Sequence, residues 1–88
     1  MINVLIADDH PIVRSGLKEL LVRHMEGVVC GEAENAQQIL TQVQCHRWDV
    51  LILDITMPGR SGLDILSDLS LMQPQLPVLV LSMHPEDL

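Results

Sequence analysis

Aromatic and basic residues are scarce in this chain of 88 residues. It has no Phe, no Tyr and a single Trp, so any core has to be built from Leu, Ile, Val, Met and Ala. Only five Lys and Arg residues stand against twelve Asp and Glu residues, which gives a formal net charge of −7. Because phosphate contacts need clustered basic side chains, this balance disfavours a nucleic-acid surface and favours a cation or a basic partner.

Cysteines are few, and long apolar segments are absent. Cys30 and Cys45 lie outside any zinc-type spacing of Cys and His, which predicts two unpaired thiols in a reducing compartment. No apolar run approaches the roughly 18 residues that a membrane span requires, and residues 1–7 lack the basic start of a signal peptide. We therefore expect a cytoplasmic protein without a membrane segment.

Two kinds of apolar segment alternate along the chain, which is long enough for one small domain. Short continuous runs, typical of strands covered on both faces, lie at residues 2–7, 28–33, 48–53 and 78–81. Between them, helical spacing of apolar residues predicts helices at residues 12–25, 35–43 and 62–72. The order β-α-β-α-β-α-β predicts an α/β domain with a parallel sheet and right-handed crossovers.

Capping residues mark the starts of two predicted helices. Pro11 stands at the first helical position, after Asp9 or His10 as the cap, and Asn35 caps the second helix. The first helix is expected to be amphipathic, with an apolar face formed by Ile12, Val13, Leu17, Leu20, Leu21 and Met25.

Polar residues that could carry chemistry follow three of the predicted strands. Asp8 and Asp9 come after the first strand, Asp54 ends the third, and Ser82 closes the fourth. The carboxyl ends of parallel strands meet at one edge of the sheet, where ligand crevices form, so we expect these residues together and Asp54 exposed. An Asp before a Pro-Gly break can also merely cap a turn, and Ser82 can merely satisfy a backbone group.

The three carboxylates have no Lys or Arg beside them at the strand ends. Their mutual repulsion is relieved by a hard cation bound through oxygen atoms, most often Mg²⁺. A carboxylate held in this way can also act as a nucleophile and form an aspartyl phosphate. Ser82 would then be able to hydrogen-bond a phosphoryl oxygen.

This set of motifs resembles the receiver domain of bacterial response regulators. The resemblance rests on A-D-D-H-P-I-V-R-S-G-L at residues 7–17, D-I-T-M-P-G-R-S-G-L at residues 54–63, and Ser82. The first stretch is similar to the NarL/FixJ-type transcriptional subgroup. The resemblance implies a flavodoxin-like (CheY-like) doubly wound sheet with strand order 2-1-3-4, in which residues 1–88 form a receiver domain without its last helices and fifth strand.

The resemblance also implies a role for each matching residue. Asp54 would accept a phosphoryl group from a sensor histidine kinase or a small phosphodonor. Asp9, Asp54 and the backbone carbonyl of Thr56 would hold Mg²⁺, with Asp8 reaching it through water, and Ser82 would contact the phosphoryl group as the switch. Smaller roles would fall to the loop-shaping residues Met57, Pro58 and Gly59, and to Thr56 and His84, which would tune the lifetime of the phosphoryl group.

Several family features do not occur in the chain. The family's fifth strand carries an aromatic switch residue and ends in a Lys that contacts the phosphoryl group, and a DNA-binding domain usually follows. We expect a signalling module rather than an enzyme. Because the Lys does not occur here, phosphorylation should give a poor yield. Contact with DNA would require a separate domain. Residues 78–81 would form an exposed sheet edge, which predicts self-association.

Other interpretations remain open from the residues alone. A pseudo-receiver would bind partners without phosphorylation, although Asp54 and the acidic pair argue against it. A haloacid-dehalogenase-type phosphohydrolase expects a second acid where Thr56 stands. A dinucleotide-binding fold is disfavoured because no G-x-G-x-x-G follows the first strand.

Histidine and tryptophan residues have simpler interpretations. Trp48 is expected to open the third strand as an amphipathic ring at the core edge. The histidines lie on different elements without metal-ligand spacing and are interpreted as surface residues: His10, His24, His46 and His84.

Overall fold

The computed structural model describes residues 1–54 and 62–81. The predicted site residues Thr56, Met57, Pro58, Gly59, Ser82 and His84 lie outside this part of the chain. The elements follow the predicted order: β1 (Ile2–Ala7), α1 (Pro11–His24), β2 (Val28–Ala33), α2 (Ala36–Cys45), β3 (Val50–Asp54), α3 (Gly62–Met72) and β4 (Val78–Leu81). None of the helices in the described ranges has the length and hydropathy to span a bilayer.

The four strands form one parallel sheet in the order β2-β1-β3-β4, which confirms the predicted topology. The two central strands are in register from Val4 opposite Val50 to Ala7 opposite Leu53. Because β1 and β3 are neighbours and point the same way, the residues that follow Ala7 lie beside Asp54. The topology therefore brings the acidic residues of two distant segments to one edge of the sheet.

Each face of the sheet packs against helices through alternate strand residues. One face joins β1 and β3 to α2 and α3 in a core cluster that includes Leu5, Leu51, Leu53, Ile39, Val43, Ile65 and Leu69. The opposite face presents Val4, Ile6 and Ile52, against which Leu17 and Leu21 of α1 pack. Asn35 caps α2 as predicted, since its side chain accepts a hydrogen bond from the Gln38 amide at 2.9 Å.

The predicted apolar face of α1 is wrong for three of its six residues. Ile12 is 86% exposed, Leu20 is 55% exposed, and Met25, just past the helix end, is 36% exposed; no residue of this helix is buried. Leu17 and Leu21, one turn apart, are the α1 residues that pack against the buried cluster on this face. A stripe this narrow leaves Ile12 and Leu20 facing away from the sheet.

Strand β3 begins at Val50, two residues later than predicted, and extends to Asp54. Trp48 lies in the preceding loop, where its indole Nε1 donates a hydrogen bond to the carbonyl of Gln42 near the end of α2. The prediction that Trp48 opens the strand is therefore wrong. The bond to α2 anchors the ring, which packs against the core cluster as expected for a ring at the core edge, and the strand register with β1 begins at Val50.

Candidate metal centre

Four side chains converge at the carboxyl ends of β1 and β3. Asp8, Asp9, His10 and Asp54 each offer one ligand atom, and these atoms lie within 4.8 Å of one another. Asp8 and Asp54 are buried, Asp9 is partly exposed and His10 is exposed. The three acids that the sequence placed at this edge are therefore brought together.

The expectation that Asp54 is exposed is wrong, because only 4% of the residue is accessible. The strand continues one residue beyond its predicted end, and Asp54 is itself paired with Leu81 of β4. Its carboxylate thus starts from within the sheet rather than from a loop. A buried carboxylate has lost hydration that a bound cation can replace.

A tight turn between β1 and α1 orients Asp8. Its Oδ1 accepts a hydrogen bond from the His10 amide at 2.7 Å, and its own amide donates to the Ala33 carbonyl of β2 at 3.0 Å. This pattern, a side chain bonded to the backbone two residues on, is an Asx turn. Pro11 then starts α1 at a position where an amide donor is not needed. His10 holds the cap position without a side-chain capping bond.

Asp9 supplies the atom that best fits a metal ion. Its Oδ1 is buried and has no hydrogen-bond partner among the residues described. The His10 Nδ1 atom lies 2.9 Å away, but not in hydrogen-bond geometry. A buried carboxylate oxygen whose contact is an ion pair with an exposed histidine, and which has no hydrogen bond among the described residues, is costly unless a cation coordinates it. Three carboxylates that offer hard oxygen donors fit Mg²⁺.

His10 belongs to this cluster, which the interpretation as a separate surface histidine missed. The side chain is 58% exposed, yet Nδ1 lies 2.9 Å from Asp8 Oδ1 and 4.0 Å from Asp54 Oδ2. The hydrogen bond that the ring donates to the Asp8 carboxylate, followed by the charge of Asp9, raises the pKa of His10 above its ordinary value of 6.5. The sequence did carry a signal that His10 belongs to the cluster, because it directly follows Asp8 and Asp9.

Arg14 was also missed, because it lies in a helix and not at a strand end. Its Nη1 donates a hydrogen bond of 2.6 Å to the backbone carbonyl of Asp8. Its Nε donates to Glu32 Oε1 of β2 at 3.0 Å. Arg14 therefore lies behind the turn formed by Asp8, Asp9 and His10, called here the acidic turn, and is hydrogen-bonded to its backbone.

Comparison with known proteins identifies the family. Residues 4–87 match the model of the response regulator receiver domain. The chain belongs to this family. It is 36% identical over 87 residues to the DNA-binding transcriptional activator DevR/DosR of Mycobacterium tuberculosis. It is 34% identical, also over 87 residues, to the nitrate/nitrite response regulator NarL of Escherichia coli K12.

These matches cover nearly all of this receiver domain but a smaller part of the relatives. They include 99% of the chain for DevR/DosR and 97% for NarL, and in both cases 40% of the relative. The chain thus spans about two fifths of the length of the curated relatives it matches. The similarity to NarL agrees with the NarL/FixJ-type subgroup inferred from the motif at residues 7–17.

Solved structures share the fold. The response regulator TrrA of Thermotoga maritima, in complex with Mg(2+)-BeF, superposes with a TM-score of 0.88 at 32% identity, covering 98% of this chain and 73% of TrrA. TrrA in complex with the histidine kinase ThkA gives a TM-score of 0.85 at 33% identity, with coverage of 97% and 73%. The described strands and helices are therefore those of a CheY-like receiver fold.

Proposed function

We propose that this receiver domain accepts a phosphoryl group on Asp54 in a reaction that requires Mg²⁺. The observation that carries the proposal is the convergence of Asp8, Asp9 and Asp54, with a buried Asp9 oxygen that has no hydrogen-bond partner in the described ranges. The complex of TrrA with Mg(2+)-BeF supports the choice of metal.

In the proposed reaction, a carboxylate oxygen of Asp54 attacks the phosphorus of a phosphohistidine. A P–O bond forms as the P–N bond breaks, and the electron pair of the broken bond goes to the departing imidazole nitrogen. The protein contributes alignment more than covalent chemistry. Bound Mg²⁺ supplies charge neutralisation at the phosphoryl oxygens.

The remaining roles follow the family resemblance and stay proposals. Asp9, Asp54 and the carbonyl of Thr56 hold the metal ion, and Asp8 contacts it through water. Ser82 contacts the phosphoryl group, and Thr56 and His84 tune its lifetime. The loop-shaping residues are Met57, Pro58 and Gly59.

We propose a sensor histidine kinase as the phosphodonor, with small phosphodonors as substitutes, in the cytoplasm. The complex of TrrA with ThkA supports a kinase partner. The likeness to DevR/DosR, a DNA-binding activator, supports a DNA-binding output domain outside residues 1–88. In this scheme residues 1–88 are the receiver part of a regulator that acts as a switch and not as an enzyme, and they self-associate through β4.

Intact-mass measurement after treatment with acetyl phosphate and Mg²⁺ tests the proposal. We expect a gain of about 80 Da, the mass of one phosphoryl group, that disappears with chelator or with Asp54→Asn. Asp64→Asn, at an exposed position of α3, serves as the matched control and should keep the gain. A gain that survives Asp54→Asn would refute the assignment.

A further inference from the structure

Arg14 connects helix α1, in which it lies, to the acidic turn and to strand β2. It lies in the first turn of α1, yet only 12% of its side chain is exposed. One guanidinium bonds both the backbone carbonyl of Asp8 and the carboxylate of Glu32 on β2. An arginine this well covered and doubly bonded is held in one geometry.

The Asp8 carbonyl belongs to the peptide group that joins Asp8 to Asp9. Its orientation sets the direction in which both carboxylates leave the chain. The preceding peptide group is fixed separately, because the Asp8 amide donates to the Ala33 carbonyl at 3.0 Å. Strand β2 thus holds Asp8 from both sides, directly through Ala33 and indirectly through Glu32 and Arg14.

We propose that Arg14 is a positioning residue for the metal centre, fixing the Asp8–Asp9 peptide group so that both carboxylates face the ion. This inference rests on the proposed function, since it takes Mg²⁺ as the ion. Groups behind the ligands commonly tune metal affinity by orienting them.

Electrostatics alone predicts the opposite effect, which makes the proposal testable. A guanidinium beside the site repels a divalent cation, so removing its charge should tighten Mg²⁺ binding. Loss of positioning should instead weaken it. The two effects have opposite signs, and the measured affinity decides between them.

Mg²⁺ titration of the 88-residue chain by calorimetry compares the wild type with Arg14→Gln. We expect the Kd to rise about tenfold in Arg14→Gln. Arg23→Gln is the charge-matched control, since Arg23 pairs with Glu19 on the same helix and both side chains are exposed. Its Kd should stay equal or fall slightly. Unchanged or tighter binding in Arg14→Gln would overturn the proposal.

Arg14→Lys keeps the charge and guards against a variant that does not fold. A lysine is a single point donor and does not reproduce the fork that reaches the Asp8 carbonyl and Glu32 together. We expect weaker Mg²⁺ binding for Arg14→Lys, with no change for Arg23→Lys. Wild-type affinity in Arg14→Lys would show that charge, and not geometry, is what matters.

Hydrogen exchange without metal separates this proposal from the proposed function. The amides of Asp8 and His10 should exchange faster in Arg14→Gln than in the wild type or Arg23→Gln, because their turn is released. If the wild type binds no Mg²⁺, the proposed function fails. The exchange rates of the Asp8 and His10 amides would still test whether Arg14 holds the turn. Equal exchange in all three proteins would overturn the positioning role.

Discussion

Asp8 and Asp9 are adjacent, yet they differ in burial. Asp8 directly follows the last residue of β1 and is held by the turn, whereas Asp9 lies at the bend between β1 and α1. Asp8 is 3% exposed and bonded through the turn, whereas Asp9 keeps some exposure, and its Oδ1 atom has no hydrogen bond from any residue that the structure describes. At the scale of single residues, the centre is therefore a fixed Asp8 beside an Asp9 that a cation would complete.

Asp9→Asn should separate folding stability from metal binding. Without metal and at a pH well above the raised pKa of His10, the variant loses like-charge repulsion and a buried carboxylate oxygen that has no hydrogen bond among the described residues. We expect its free energy of unfolding to rise by about 1 kcal/mol, measured by urea denaturation. Added Mg²⁺ should then stabilise the wild type but not the variant. Equal stabilisation of both proteins by Mg²⁺ would remove Asp9 from the metal site.

At the scale of the elements, the loop between α2 and β3 packs against β2 through a close contact of Trp48 with Gly31. A Cβ atom built on Gly31 would lie 2.3 Å from Cη2 of Trp48, so a larger residue does not fit beneath the indole. The ring is held by the bond from its Nε1 to the Gln42 carbonyl and by an edge contact with His46. Gly31 therefore provides the space that lets this loop close over β2.

Gly31→Ala should destabilise the protein by about 1–3 kcal/mol through overpacking. It should also shift Trp48 emission to longer wavelength as the ring moves toward solvent. Gly16→Ala is the control, because nothing beyond the adjacent backbone of helix α1 lies within 4 Å of the added Cβ among the described residues. That change should stabilise by about 0.5–1 kcal/mol. Unchanged stability and emission in Gly31→Ala would contradict the packing described.

The elements were predictable because their signals are local. Apolar runs and helical spacing identified every described strand and helix, and the parallel order brought Asp8, Asp9 and Asp54 together. Burial of Asp54, the exposure of Ile12 and the place of Trp48 were mispredicted because each depends on packing between elements. Arg14 was missed because its role depends on a contact with the distant Glu32.

For the whole molecule, the two edges of the sheet differ. On β4, Leu79 is 55% exposed and Val80 is 40% exposed, and this strand pairs with β3 alone in the described part of the chain. The β2 edge carries Glu32, which bonds Arg14 and lies 3.9 Å from Lys18. An apolar edge without a charged side chain favours pairing with a further strand.

We expect residues 1–88 to self-associate through β4, with light scattering showing a mass that rises across micromolar concentrations. Leu79→Lys should restore the monomer, because a lysine on an edge strand opposes pairing. Val29→Lys adds the same charge to the β2 edge, where Val29 is 44% exposed, and should leave the association unchanged. A folded wild-type monomer at all these concentrations would contradict the prediction.

The position of the phosphoryl group is the most direct test of the central claim. Borohydride reduces an acyl phosphate, so a phosphorylated Asp is recovered as homoserine and is located by peptide mass spectrometry. After treatment with acetyl phosphate and Mg²⁺, we predict homoserine at residue 54 and at no other acid, and none when Mg²⁺ is chelated. Homoserine at residue 8 or 9, or its absence at residue 54 in protein that has gained the phosphoryl mass, would contradict Asp54 as the phosphoacceptor.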